Sequence, residues 1–515
     1  MMQILDSTLR DGAQAEGVSF SVNDRLEIAR ILDGLGLHYI EAGCANPKEQ
    51  EFFRQAAALH LKNAKLCAFG ATRRKDSRAG GDNNCRALLE AATPVVSLVG
   101  KSSALHVHEI LQTSQAENLA MIEDSCRFFS QKGREVIFDA EHFLDGWALD
   151  PAYAIEALRA AAKGGARTLV LCDTNGGSLP WDVEEITRFV CKEFPDSTIG
   201  IHAHDDNGMA TASTCAAVRA GARHVQGTFL GFGERVGNAN LSAVMPNLQL
   251  KLGYNCIPEE NLTRLTDCAL QIASIANTGL RGNTPFVGAR AFAHKGGMHS
   301  DGVLKNPASF EHIDPAAVGN RRRLLVSEVA GRAAIYPRIQ RLYPEIDIES
   351  PVTERVVAAL KDLEFGGYSF EGADASFDLL IRRCRETLPS FFELIGYNVL
   401  DRLPYENERS ATATLKIRVK GNLKIAAAEG EGPVNALDLA LREALREFYP
   451  VLAQVRLIDY KVRIMESAAG TESQVRVLIT SSDHARQWTT VGVSRDIIEA
   501  SWEALVDSII YKLLE

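Results

Sequence analysis

Nowhere does the sequence run for the ~18 uncharged apolar residues that a membrane-spanning helix requires. Its start, MMQILDSTLRDG, has no basic segment followed by an apolar one. Neither a membrane span nor a secretory leader is expected, and the protein is expected to be cytoplasmic. The ten cysteines contain no CxxC pair and sit singly inside apolar runs such as KLCAFG (Cys67) and LVLCD (Cys172). That pattern excludes a closed structural zinc site and argues against a disulfide framework. It fits small buried thiols in a reducing compartment. Positive charge is not in excess: the formal net charge is -10 and the pI is near 5.7. No nucleic acid and no membrane surface is expected as a partner, because either would need a concentrated basic face. A short basic run, Arg321, Arg322 and Arg323 with Lys305 upstream, reads equally as a solvated turn or an anion site. Internal repeats and low-complexity tracts are absent.

What is present is an ordinary globular balance, 46% hydrophobic and 24% charged over 515 residues, enough chain for about three domains at roughly 150 residues each. Short apolar runs recur through the first half, each followed by room for a helix: QILD (3–6), YIEAG (39–43), KLCAFG (65–70), VVSLVG (95–100), EVIFDAE (135–141), TLVLCD (168–173), TIGIHAH (198–204) and HVQGTF (224–229). Alternating β and α segments imply a parallel sheet. Runs apolar on both faces imply a sheet covered on both sides, and about eight units fit a closed (β/α)₈ TIM barrel. The barrel is expected over residues 1–280, helical linker subdomains over 281–405, and a separate α+β domain over 406–515.

Barrel enzymes carry their working residues at the C-terminal ends of the strands. The polar residues of this chain fall there, and the HxH of IGIHAHDD is the sharpest of them. Alternation along a strand puts His202 and His204 on one face. Asp11, in LDSTLRDGAQ at the end of the first strand, is then one strand removed across a closed barrel. Two imidazoles and one carboxylate leave half of an octahedron open, which suits a substrate chelating Mg²⁺, Mn²⁺ or a similar divalent metal. Asn238, in GFGERVGNANL, is a further candidate metal contact, through water or from behind the ligands.

These segments resemble the signatures of the metal-dependent 2-isopropylmalate synthase, homocitrate synthase and citramalate synthase family. FDAEHFLDGW, LCDTNGGSLP, FAHKGGMHSDGVLKNP, FEHIDPAAVGN, LVSEVAGR, GPVNALDLALREAL and VGVSRDIIEASWEALVDS resemble its citramalate branch most closely, over nearly the whole chain. The resemblance implies condensation of acetyl-CoA, as co-substrate, with a small-molecule 2-oxo acid, pyruvate in that branch, and thioester hydrolysis. On this reading Arg10 binds substrate and stabilises the growing oxyanion, Thr174 donates to the substrate carboxylate, and Glu141 transfers a proton or activates water. It also implies that His299 acts across the subunits of a homodimer, that His294 is structural, and that the last domain is regulatory. Its effector would be an amino acid, isoleucine in the citramalate case, with Gly430 and Gly432 to Val434 able to cradle a carboxylate.

Three positions depart from the family. Ala42-Gly43-Cys44-Ala45-Asn46-Pro47 replaces a longer loop that carries a tryptophan, Ser7 stands for a threonine, and Phe310 for a tyrosine. The loop bears on which 2-oxo acid is used. The alternatives are therefore a 2-isopropylmalate synthase using 2-oxoisovalerate for leucine biosynthesis, and then a related acyl-CoA lyase or aldolase.

Overall fold

A computed structural model describes residues 2–44, 46–325, 332–402, 410–465, 473–483 and 485–515. The chain divides into two compact bodies, Met1–Phe292 with Ile313–Arg322, and Ala293–His312 with Arg323–Glu515.

The first body is a closed parallel barrel of eight strands: β1 (Gln3–Leu9), β2 (Tyr39–Gly43), β3 (Lys65–Ala71), β4 (Val95–Lys101), β5 (Glu135–Glu141), β6 (Thr168–Asp173), β7 (Thr198–Ala203) and β8 (His224–Gly227). Each expected run is a strand, and β8 closes on β1 with Gln3 opposite His224 and Asp6 opposite Gly227. Helices fill the intervals because their sequences carry start signals. Ser21 and Asp24 form a reciprocal cap ahead of Val22–Leu35, and Asn46 and Glu49 do the same ahead of Pro47–Ala56.

Period-two alternation sorts the barrel interior into layers. Leu5, Tyr39, Cys67, Val95, Ile137, Val170 and Cys172 form a closed apolar cluster of their own, a packed plug of the kind that makes such a barrel solid rather than porous. Gly200 belongs to the same level: a Cβ there would lie 3.0 Å from both the His224 ring and Val170 Cγ2, so glycine makes room for the buried imidazole. Two residues onward the interior turns polar, with Ser7, Glu41, Ser97, Asp139, His202 and Gln226 all buried. The apolar plug thus acts as a floor beneath a polar chamber.

The second body holds a two-stranded parallel sheet, β9 (Ala293–His294) with β10 (Arg323–Leu324), and helices Gly297–Lys305, Arg332–Leu342, Pro351–Phe365 and Asp374–Arg385. It continues into two antiparallel three-stranded sheets. One is β11 (Glu393–Arg402), β12 (Ser410–Val419) and β13 (Asn422–Gly430); the other is β14 (Arg456–Ile464), β15 (Val475–Ser482) and β16 (Gln487–Ser494). Helix Pro433–Arg446 packs on the first and Ile497–Leu513 on the second, burying Leu415, Ile417, Leu441, Val477 and Leu505. β11 lies where helices were expected. It is an edge strand whose Leu394, Ile395 and Leu400 stay exposed, so it lacks the in–out alternation by which a half-buried strand is recognised. The 405/406 boundary and residues 326–331 of LVSEVAGR lie outside the described residues. Among the described residues no helix is long and apolar enough to cross a membrane.

Candidate metal centre

β7 ends at Ala203 and places His202 inward; His204 follows one residue later, held by an isolated bridge to Asn238. Asp11 comes from the turn after β1. The three side chains are buried, and their ligand atoms all lie within 4.8 Å of one another. Both imidazole Nε2 atoms face the same oxygen, Asp11 Oδ2, at 3.9 Å from His202 and 3.8 Å from His204. Those separations are too long for hydrogen bonds and leave space for an ion between the donors.

The surroundings fix these groups. Arg10 Nη1 donates to Asp11 Oδ2 at 2.7 Å, and Arg10 Nε donates to Glu41 Oε2 at 2.8 Å. The guanidinium lies over the Phe69 ring, 3.9 Å from its centroid, a cation–π contact that completes its cage. Asn238 Nδ2 donates to Asp11 Oδ1 at 2.8 Å and to the Phe232 carbonyl at 3.2 Å. Gly233 permits this closeness, since a Cβ there would fall 2.2 Å from Asn238 Nδ2 and 3.0 Å from Asp11 Oδ1.

Electrostatics favour the ligand forms that a cation needs. Burial alone would raise Asp11, but Arg10 and then the two histidines outweigh it and hold the carboxyl down at about 2. Burial lowers both histidines, His204 to about 4 with His202 the next cause. A carboxylate beside two neutral imidazoles results. His204 Nδ1 and Asn238 Oδ1 are buried without a hydrogen-bond partner, which marks a polar site short of ligands. The donor set, two nitrogens and one oxygen, fits a divalent ion with open positions.

Arg10, Asp11, Asn238, His202 and His204 are therefore in one place. Thr174 and Glu141 occupy the same mouth of the barrel, at the ends of β6 and β5. Thr174 Oγ1 accepts from the His142 backbone N–H at 2.8 Å. Glu141 is part-exposed and ion-paired with Lys101, its neighbour across the β4–β5 register. His299 belongs to the second body, in helix Gly297–Lys305, where it stacks on Phe310 with ring centroids 4.3 Å apart. His294 Nε2 there contacts Glu311 Oε1 at 3.1 Å. Of the departing loop, Ala45 lies outside the described residues.

Four residues around the site escaped the sequence reading: Glu41, Lys101, Asp139 and Gln226. The available signal was positional. Each is a polar or charged residue at an inward position of a strand otherwise apolar, level with His202 or just above it.

Residues 1–272 match the HMGL-like family, 286–365 the homocitrate synthase post-HMGL domain-like family, and 371–513 the LeuA allosteric (dimerisation) domain. The (R)-citramalate synthase of Aquifex aeolicus is 50% identical over 99% of this chain and 98% of its own. That of Synechocystis sp. is 48% identical over 99% and 96%. A probable 2-isopropylmalate synthase of Methanopyrus kandleri is 31% identical over 98% and 97%.

Proposed function

The chain belongs to the family of HMGL-like (R)-citramalate synthases, and from that premise we propose that it condenses acetyl-CoA with pyruvate and hydrolyses the thioester, releasing (R)-citramalate and CoA. The observation that carries the reading is the convergence of both histidine Nε2 atoms on Asp11 Oδ2 beside the Arg10 guanidinium.

Asp11, His202 and His204 would hold a divalent ion, Mg²⁺, Mn²⁺ or similar, which would supply Lewis-acid polarisation of the keto oxygen of the 2-oxo acid. Asn238 steadies Asp11 through its hydrogen bond to Oδ1. Arg10 keeps Nη2 without a protein partner among the described residues, and this group meets the oxyanion that grows as the acetyl carbon attacks. Thr174 directs its hydroxyl proton to the substrate carboxylate. Glu141, beside Lys101, takes the acetyl proton or activates the water that cleaves the thioester. His299 is supplied by the partner subunit of a homodimer, in keeping with the dimerisation-domain match over 371–513. That domain binds the feedback inhibitor, isoleucine, where β13 meets the helix entry at Gly432. The protein works in the cytoplasm, in isoleucine biosynthesis.

The 31% relative keeps 2-isopropylmalate synthase as the second reading. The two substrates differ by two methylenes, worth ~1–3 kcal/mol of discrimination, which one or two side chains supply. Acetyl-CoA-dependent thiol release is measured with pyruvate, 2-oxobutyrate, 2-oxoisovalerate and 2-oxoglutarate in turn. Pyruvate is expected to give the highest kcat/KM; equal or better turnover of 2-oxoisovalerate refutes the substrate assignment. Cleavage of citramalate or hydroxymethylglutaryl-CoA without synthesis would assign a lyase instead.

A further inference from the structure

Behind His202 runs a chain of buried hydrogen bonds that the reaction itself does not use. His202 Nδ1 lies 2.9 Å from Gln226 Oε1, Gln226 Nε2 donates to Asp139 Oδ1 at 2.8 Å, and Ser97 Oγ donates to Asp139 Oδ2 at 2.7 Å. All four side chains are buried. We infer that Gln226, oriented by Asp139 and Ser97, is the positioning residue that fixes the tautomer of His202 and thereby presents its Nε2 lone pair to the metal.

The direction of the chain follows from which atoms can donate. An ionised Asp139 only accepts, so the amide must turn its NH₂ toward it. Protonation at Oδ2 does not reverse this, because Oδ2 then donates to Ser97 Oγ and Oδ1 still accepts. His224 Nε2 sits 3.5 Å from the same amide nitrogen, with His224 Nδ1 3.4 Å from Gln3 Oε1; a second acceptor thus lies on the NH₂ side. Gln226 is left presenting its carbonyl oxygen to His202, which can satisfy it only with a proton on Nδ1. Nε2 is then unprotonated and faces Asp11. Reversing the amide would place a donor against Nδ1, draw the proton to Nε2 and block the ligand atom. Partners of this kind orient the ring and raise its basicity, and their loss typically weakens metal binding 10–100-fold.

The inference rests on the proposed metal site, so the test reads metal affinity directly. Metal-free protein is titrated with Mn²⁺ while the electron paramagnetic resonance signal of the free ion is followed. Gln226→Met keeps the side-chain length and removes the acceptor; its Kd is expected to rise about 10–100-fold. The swapped pair Gln226→Glu with Asp139→Asn keeps an acceptor against His202 Nδ1 and a hydrogen bond between positions 226 and 139, now donated by the asparagine amide, and is expected to bind within about threefold of the unaltered protein. A wild-type protein without Mn²⁺ affinity sinks the metal site and this inference together. Wild-type affinity in a cooperatively folded Gln226→Met sinks the inference alone. If Gln226→Met does not fold, the swapped pair decides: a loss of tenfold or more overturns the relay.

Discussion

Replacing Arg10 by lysine separates charge from geometry at the residue proposed to meet the growing oxyanion. Arg10 holds two carboxylates at once, Glu41 through Nε at 2.8 Å and Asp11 through Nη1 at 2.7 Å, and its plane lies on Phe69 at 3.9 Å. A planar fork satisfies both carboxylates and still leaves Nη2 without a protein partner among the described residues. An ammonium carries the same charge but has neither the reach nor the fixed directions. Removing one preorganised oxyanion donor costs about 10²–10³ in kcat, or roughly 3–4 kcal/mol. Glu41 is fully buried and would keep only the Ser7 hydroxyl, 2.6 Å away; leaving a buried acceptor short of its donor costs a further ~1–3 kcal/mol of stability. Thiol release under saturating pyruvate and acetyl-CoA gives kcat, and urea unfolding gives the stability. A variant within about threefold of wild-type kcat would falsify the oxyanion role. Unchanged stability would show that Glu41 does not depend on the fork.

Mn²⁺ at 100 times its Kd is expected to stabilise the protein by about 2.7 kcal/mol, raising Tm in wild type but not in His204→Ala; equal shifts in both contradict the ligand assignment. Because burial holds His204 at about 4, metal affinity is expected to stay nearly level from pH 8 to pH 5.5. A tenfold fall for each unit below pH 6.5 would mean an imidazole of ordinary basicity. Asp6, fully buried, is raised to about 7 by that burial, against donors from Thr8 and Phe229. Its raised folded value makes its contribution complete below the unfolded value near 4 and lost as pH climbs through 7, up to about 4 kcal/mol in all. Urea midpoints at pH 5 and pH 8 measure this, and Asp6→Asn should flatten the slope; an unaltered slope assigns it to other groups. Gly233→Ala puts a carbon 2.2 Å from Asn238 Nδ2 and is expected to weaken Mn²⁺ binding about tenfold or more, as measured by the same free-ion titration; wild-type affinity would show that the loop yields.

The barrel was legible because its strands are short apolar runs with helical intervals, and because period two alone puts His202 and His204 on one face. Asp11 followed from closure, which brings the first strand within one neighbour of the seventh. What the sequence withheld depends on register and depth. Lys101 meets Glu141 only because β4 and β5 pair with those two residues opposite, a fact carried by the whole barrel's stagger and by no local pattern. Asp139 and Gln226 take their meaning from depth, since with Ser97 and His202 they share the buried polar layer above the apolar plug. β11 was missed for the opposite reason: Leu394, Ile395 and Leu400 are apolar yet exposed while Tyr397 and Val399 pack on the core, so apolar residues do not mark one face.

The central claim is a metal-dependent condensation at Asp11, His202 and His204, and one titration reaches it. Metal-free protein is supplied with pyruvate and acetyl-CoA, and thiol release is followed as Mn²⁺ is added, for wild type and for His202→Ala. The account predicts no turnover without metal, a rise that saturates at one ion per chain in wild type, and none in the folded variant. Metal-free turnover, or a fully active His202→Ala, would contradict it.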